Sequence, residues 1–187
     1  MTPTNLFPQA SGVASLLVTA EECMAQARVD LDSEAAQLLK YAASAQSMVE
    51  HYIETPLTER QMVALADCWP AGGWRVMQGK VRSVDAIGYT DIEGAEQTLA
   101  PGAYVLRERL RLGLIRFTGE PLPAIQPHSE ITVSLTAGWP TNGCDDVLKQ
   151  AVLMLTSNLY DNRGTLAPDA RTCMETLLSP FRLRYLA

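Results

Sequence analysis

Residues able to do chemistry are few in this chain, and their spacing brings none of them together. There are two histidines, His51 and His128, and four scattered cysteines, Cys23, Cys68, Cys144 and Cys173. No C-x-x-C or paired His/Cys spacing occurs, so neither a zinc site nor a disulfide framework is expected, and the thiols read as reduced and mostly buried. Asp145-Asp146 can be read as a metal carboxylate pair. Adjacent residues at a helix start diverge, however, so the pair is better read as a helix cap. Asp30-x-Asp32 resembles the opening of a calcium loop but lacks the glycine and the distant glutamate that such a loop needs. His51 follows Glu50 beside an apolar helical stripe and reads as a surface polar residue. Phosphate-cradling and nucleophile-elbow strings are absent, and Gly72-Gly73 and Gly164 read as turn residues. Arg107, Arg109 and Arg111 offer either a basic patch for phosphate or a solvated hairpin tip. No catalytic residue, metal or cofactor is expected.

Composition agrees with that reading. The chain has 187 residues, 47% of them hydrophobic and 19% charged, and a formal net charge of −6. This is a globular composition that can bury a core without staples. It is not a nucleic-acid footprint. No apolar run reaches a membrane-spanning length, and the N-terminus lacks a secretory pattern.

The elements that must position these residues follow from periodicity. Thr19-Ala20-Glu21-Glu22 is a capping box opening a helix that runs to about Arg28. Asp32 or Ser33 caps a long second helix, about Glu34 to Ile53, whose Ala35, Leu38, Leu39, Ala42, Ala45, Val49, Tyr52 and Ile53 form one stripe. Glu34, Lys40, Ser44, Ser47 and Glu50 occupy its polar face. Pro56 ends it. The period then changes. Strands are expected at 74–77, 81–90, 96–99, 104–106, 112–117 and 130–137, with Asp91 to Ala95 as a hairpin turn. Gln61 to Trp69 shows no clear period. Trp69 and Trp74 flank the Pro70-Gly73 turn and are expected to close the rim of a small sheet. Asp145 or Asp146 caps a helix that is apolar on most of its circumference, and Pro168 opens a last helix that Pro180 stops.

The fold class expected is therefore α+β: a small helical bundle with an inserted antiparallel β-sheet region between the second long helix and the C-terminal helices. Residues 1–14 read as a flexible lead-in and 15–187 as a single domain. Within it, 15–56 and 142–180 are helical, 60–138 is the β-rich insertion and 181–187 is a tail. Charge is segregated along the chain. Residues 1–60 hold eight acids and three bases, a net of −5, and residues 163–187 hold two acids and four bases, a net of +2. Acid at one end and base with aromatics at the other suits docking between subunits or onto a partner.

The order of certain strings resembles the head-tail connector, or adaptor, family of tailed phages and gene-transfer particles. They are Leu17-Val18-Thr19-x-x-Glu22, Asp85-Ala86-Ile87-Gly88-Tyr89, Asp91-x-Glu93-Gly94, Tyr104-Val105-Leu106, Val133 to Trp139, Gln150 to Leu155, Tyr160-x-Asn162-Arg163 and Leu177 to Arg182. The resemblance implies a structural virion protein. It would form a dodecameric homo-oligomer ring under the portal protein, extend the DNA channel, and give a docking platform for the stopper or tail-side protein. Genomic DNA would pass without specific binding. The location implied is the virion neck, after assembly in the host cytoplasm, with no membrane partner. Another phage capsid or tail assembly protein is the alternative, and a small hydrolase a distant one. Phe181, Arg182, Leu183, Arg184 and Tyr185 are the expected portal contact, as aromatic anchors with arginines for acidic partners. The bland reading is that Phe181 and Leu183 tuck back onto the bundle.

Overall fold

The computed structural model describes residues 4–11, 14–30, 32–109, 111–118, 121–140 and 143–183. Among the described residues there are four α-helices: α1 (Ala20–Ala27), α2 (Asp32–Ile53), α3 (Asp146–Asp161) and α4 (Pro168–Leu178). Nine strands accompany them: β1 (Thr4–Leu6), β2 (Gln9–Ala10), β3 (Arg60–Ala66), β4 (Trp74–Gly79), β5 (Val81–Thr90), β6 (Glu96–Thr98), β7 (Tyr104–Arg109), β8 (Leu112–Phe117) and β9 (Ile131–Ala137). The fold class is α+β, with β3 to β9 inserted between α2 and α3 and β1 and β2 preceding α1. Two compact units can be described. A β unit comprises residues 1–13 and 59–138, and a helical unit comprises 14–58 and 139–187.

The helical unit forms because its apolar stripes share one core. Leu38, Ala42, Ala45, Val49 and Ile53 from α2 meet Leu148, Ala151, Val152, Leu155 and Leu159 from α3, with Val18, Cys23, Leu57, Met174 and Leu178 completing the cluster. Each fully buried Leu, Ile or Val contributes roughly 1.5–3 kcal/mol. The ends of the helices are chemically specified. The Thr19 hydroxyl accepts from the Glu22 N–H and the Glu22 carboxylate accepts from the Thr19 N–H, a complete capping box. Asp145 caps α3 by accepting from the Val147 N–H at 3.0 Å. Arg163 and Gly164 take left-handed backbone at the end of α3, where the Gly164 N–H returns to the Leu159 carbonyl. Tyr160 donates to the Glu34 carboxylate and ties α3 to α2. Lys149 of α3 pairs with Glu22 of α1. That hydrogen bond, followed by the one from the Thr19 N–H, holds the Glu22 carboxyl below its ordinary range.

Two segments bordering the β unit are held by one pair of side chains on α2. Gln46, buried, accepts from the Leu17 N–H at 2.8 Å and donates to the Ser15 carbonyl at 3.0 Å and to Glu50. Glu50 accepts in turn from the Leu57 N–H at 2.9 Å. The Thr58 hydroxyl donates to the same Ser15 carbonyl. The backbone where the chain enters α1 from β2 and where it leaves α2 toward β3 is thus satisfied by a Gln and a Glu one helical turn apart.

The β unit is a sandwich rather than the single antiparallel sheet expected. One sheet has the order β1-β4-β8-β7, with β1 parallel to β4, and the other β2-β3-β9-β5-β6, antiparallel throughout. Both inner faces feed one core that includes Leu6, Trp74, Val76 and Ile115 from the first sheet and Met62, Ile87, Val133 and Leu135 from the second. The lead-in is also corrected. Over its described residues it supplies β1 and β2, and Leu6 is buried, because sheet edges at β4 and β3 offer backbone partners. Strand β3 escaped sequence reading because its outward residues Val63 and Leu65 are apolar too, which blurs the two-residue step. Trp74 does not close a rim. It is fully buried against Phe117 (centroids 5.1 Å) and Trp69 (5.7 Å). Of the thiols expected to be mostly buried, Cys68 and Cys173 are exposed.

Two glycines separate backbone strain from steric exclusion. Gly73 and Gly94 both have φ of +86°, but a Cβ on Gly73 falls 2.4 Å from the Ile115 carbonyl oxygen, whereas one on Gly94 meets nothing within 4 Å. Gly94→Ala is expected to cost about 1 kcal/mol from the left-handed backbone alone. Gly73→Ala is expected to cost about 3 kcal/mol or more, because β4 and β8 must part. Urea unfolding of both variants measures this, and equal losses would contradict the packing. The Glu22 contribution is full above the unfolded value near 4.5 and is lost as pH falls through the lower folded value. Glu22→Gln should therefore flatten the acid limb of the stability-pH curve and leave its alkaline side unchanged in shape.

Candidate interaction surfaces

The residues with catalytic potential stay apart. His51 and His128 are exposed and belong to different units. Among the described residues, no three His, Cys, Asp or Glu side chains are grouped to hold a metal. Burial pushes the Cys144 thiol up to about 11 and raises that of Cys23 as well, so both are protonated and poor nucleophiles near neutral pH. Asp145 is spent as a cap, while Asp146 lies exposed in the first turn of α3. Among the described residues no helix is long and apolar enough to cross a membrane.

What the structure does build is surface. The chain turns after α4 and lays residues 181–183 onto the helical unit. Phe181 is half-buried and packs against the helical core. Leu183 is only 6% exposed, and its N–H reaches the Ile53 carbonyl at 3.3 Å. Arg182, exposed, lies with its guanidinium 5.3 Å from the Tyr52 ring centroid. The Tyr52 hydroxyl donates to the Glu175 carbonyl, which fixes the ring under the arginine. Thus Phe181 and Leu183 seat the segment, and Arg182 is the side chain that it presents outward. Arg184 and Tyr185, the other two expected contact residues, lie outside the described residues.

A second surface lies on the β unit. The sequence singled out Arg107, Arg109 and Arg111 at one hairpin. Register shows a broader feature on the outer face of the four-stranded sheet. Asn5 pairs with Arg75, Arg75 with Leu114, and Leu114 with Arg107, so the four make one row across all four strands. In the next row of that face Arg116 pairs with Val105. Leu114 is 7% exposed although it faces outward, with Arg75 and Arg107 as its row neighbours. Arg75 and Arg116 could not be found from sequence, because only the pairing of β4, β8 and β7 brings them beside Arg107. Arg111 sits at the hairpin turn with φ of +67°.

The seat of the tail yields a direct test. Leu183→Ala should lower stability by about 2 kcal/mol, near the lower end for a buried leucine. Arg182→Ala, at an exposed position, should shift it by less than about 1 kcal/mol. Thermal melting of the two variants checks the order, and an unaffected Leu183→Ala would contradict the buried seat.

No protein-family model matches the sequence, and no curated protein matches it. The fold, by contrast, has solved counterparts. A chain from the neck of an empty gene transfer agent particle, computed with C6 symmetry, superposes with a TM-score of 0.79 at 22% identity, covering 96% of this chain and 98% of that one. A chain from the virion of the native gene transfer agent particle gives 0.79 at 22% identity, covering 96% and 97%. One from the neck of the native particle, computed with C12 symmetry, gives 0.74 at 23% identity, covering 96% and 98%. Over nearly its whole length, the chain shares its fold with chains of gene transfer agent necks.

Proposed function

We propose that this protein is a structural, non-catalytic component of a virion neck: a head-tail connector that assembles as a dodecameric ring beneath the portal. The observation that carries this reading is the fold likeness to chains of gene transfer agent necks, which spans both units and includes assemblies of C6 and C12 symmetry. The sequence strings that resemble the connector family support it independently. So does a molecule whose reactive groups are scattered, capped or held protonated while its structure is devoted to surfaces. In the ring, the protein extends the DNA channel and offers a platform for the stopper and tail. Genomic DNA passes without specific binding, and assembly takes place in the host cytoplasm.

The portal contact in this reading is the C-terminal segment Phe181, Arg182, Leu183, Arg184 and Tyr185. Phe181 and Leu183 hold the segment on the helical unit, and the arginines pair with acidic groups of the portal. Arginine and aromatic anchors at the centre of an interface each contribute about 2 kcal/mol or more. A seated segment is also pre-ordered, which lowers the entropy cost of docking.

Co-purification with the cognate portal tests this. The wild-type chain should be mostly monomeric when free at micromolar concentration and form a ring on the portal. Arg182→Glu combined with removal of residues 184–187 leaves Leu183 in place. It should melt like the wild type, bind the portal at least about thirtyfold more weakly, and leave heads without tails. A variant that still supports tailed particles would remove this segment as the anchor. A wild-type chain that labels the capsid surface or the tail tip in particle images would favour the other assembly-protein reading.

A further inference from the structure

The basic outer face of the four-stranded sheet has an acidic counterpart on the other side of the same sandwich. In the five-stranded sheet, Met62, Ala64, Ile87, Val133 and Leu135 point into the core. The alternate positions face outward: Gln61, Val63 and Leu65 on β3, Thr132, Ser134 and Thr136 on β9, and Glu96 and Thr98 on β6. None of these is a cation. The sheet's strand cations, Arg60 and Arg82, belong to the end where Arg60 and Val81 both pair with Ala137. The opposite end is acidic. Asp67 and Glu130 stand one residue beyond the last β3–β9 pair, Ala66 with Ile131. Since Gly88 pairs with Thr132, Thr90 falls at that end too, and Glu96 pairs with Thr90. Glu93 projects from the turn beside it, where Asp91 organises the backbone by accepting from the Glu93 and Ala95 N–H groups. Two large apolar side chains stand among these acids in the open: Leu65 at 55% and Ile92 at 68% exposed.

Each face thus carries apolar residues near one sign of charge. Leu114 and Val105 pair across strands with Arg75, Arg107 and Arg116, while Leu65 is two residues before Asp67 on β3's outward alternation and Ile92 adjoins Glu93 in the turn. Among the described residues, no ion pair engages Arg75, Arg107 or Arg116, nor Asp67, Glu93, Glu96 or Glu130. The two faces lie on opposite sides of one packed sandwich, so a single copy cannot bring them together. Two copies can.

We propose that the basic face of one copy receives the acidic end of the outer face of a second copy of this chain, head to tail. A contact of this kind uses two different patches. It therefore leaves one of each free on every pair and repeats until the rotation closes a ring. The complementary charges select the partner face and set the register, while burial of Leu65 and Ile92 against Val105 and the arginine stems supplies the area-dependent attraction. The choice of a second copy as occupant rests on the complement being carried by the same chain, in charge and in apolar centre. The proposal rests on the ring reading above and names the surface through which the ring forms.

Charge exchange tests it. One full-length variant reverses the basic face, Arg107→Glu with Arg116→Glu, and a second reverses the acidic end, Glu96→Arg with Glu130→Arg. All four side chains are exposed, so both variants should keep wild-type melting, and the two report independently. Wild-type chains at high concentration and low salt, trapped by an amine-independent cross-linker, should give a ladder of multimers that fades as salt rises. Each variant alone should need about tenfold or more protein for the same ladder. An equimolar mixture of the two should restore it, because every contact is again between unlike faces. Variants that assemble alone as well as the wild type would overturn the proposal. So would duplex DNA binding by the wild type that Arg107→Glu/Arg116→Glu abolishes, which would assign the basic face to phosphate. A wild-type chain that stays monomeric both at low salt and on its portal would remove the ring itself, and this contact with it.

Discussion

Gln46 and Glu50 hold the place where this chain stops being a helical bundle and becomes a sandwich. A chain that leaves a core and returns must expose backbone at each crossing, and that backbone has no helix or sheet to satisfy it. Here the Ser15–Leu17 segment and Leu57 bond to two side chains one turn apart on α2. Thr58 closes the set by donating to Ser15. Neither side chain does the task alone. Gln46 supplies both a donor and an acceptor, and Glu50 supplies an acceptor that serves Gln46 and Leu57 together. The chain's entry from β2 and its exit toward β3 are thus both fixed on one helix, and the strands beyond build a core of their own.

That arrangement makes a platform with two kinds of surface. The helical unit presents Arg182 over Tyr52, seated by Leu183 and Phe181. The β unit presents arginines on one side and carboxylates on the other. The overall charge of −6 hides this separation, because residues 59–138 hold eight bases and nine acids, which nearly cancel in the sum. Net charge excluded a general affinity for nucleic acid, but it could not describe a sandwich with opposed faces. Under the proposed ring reading, such separate and mutually compatible surfaces would serve contacts with other copies and with partners.

How much of this was legible depends on whether the signal was local. The Thr19 capping box, the stripe of α2, the Asp145 cap and Pro168 at the start of α4 were all readable, since each is decided within a few residues. The division into two sheets was not. Alternation tells which residues share a face but not which strands are neighbours, and β1 and β2 exist only because β4 and β3 accept them. Gln46 carries no local signal in the sequence, and Glu50 reads as part of the polar face of its helix. Their roles depend on segments about thirty and seven residues away. Arg75 and Arg116 were invisible for the same reason, whereas Arg107 and Arg109 stood out because they are adjacent in alternation on one strand. The tail carried two readings from the start. The structure gives Leu183 to the bundle and leaves Arg182 outside, and the remaining two expected contacts, Arg184 and Tyr185, lie outside the described residues.

The central claim is that this chain works as one member of a closed ring at a neck, with its sandwich units touching head to tail. A cryo-electron microscopy reconstruction of the full-length protein assembled on its cognate portal tests it most directly. The account predicts one closed ring at the portal's tail-side end, with the arginine face of each copy against the Leu65–Ile92 side of the next. Isolated copies on the portal, open filaments, or a ring whose sandwich units do not touch would contradict it.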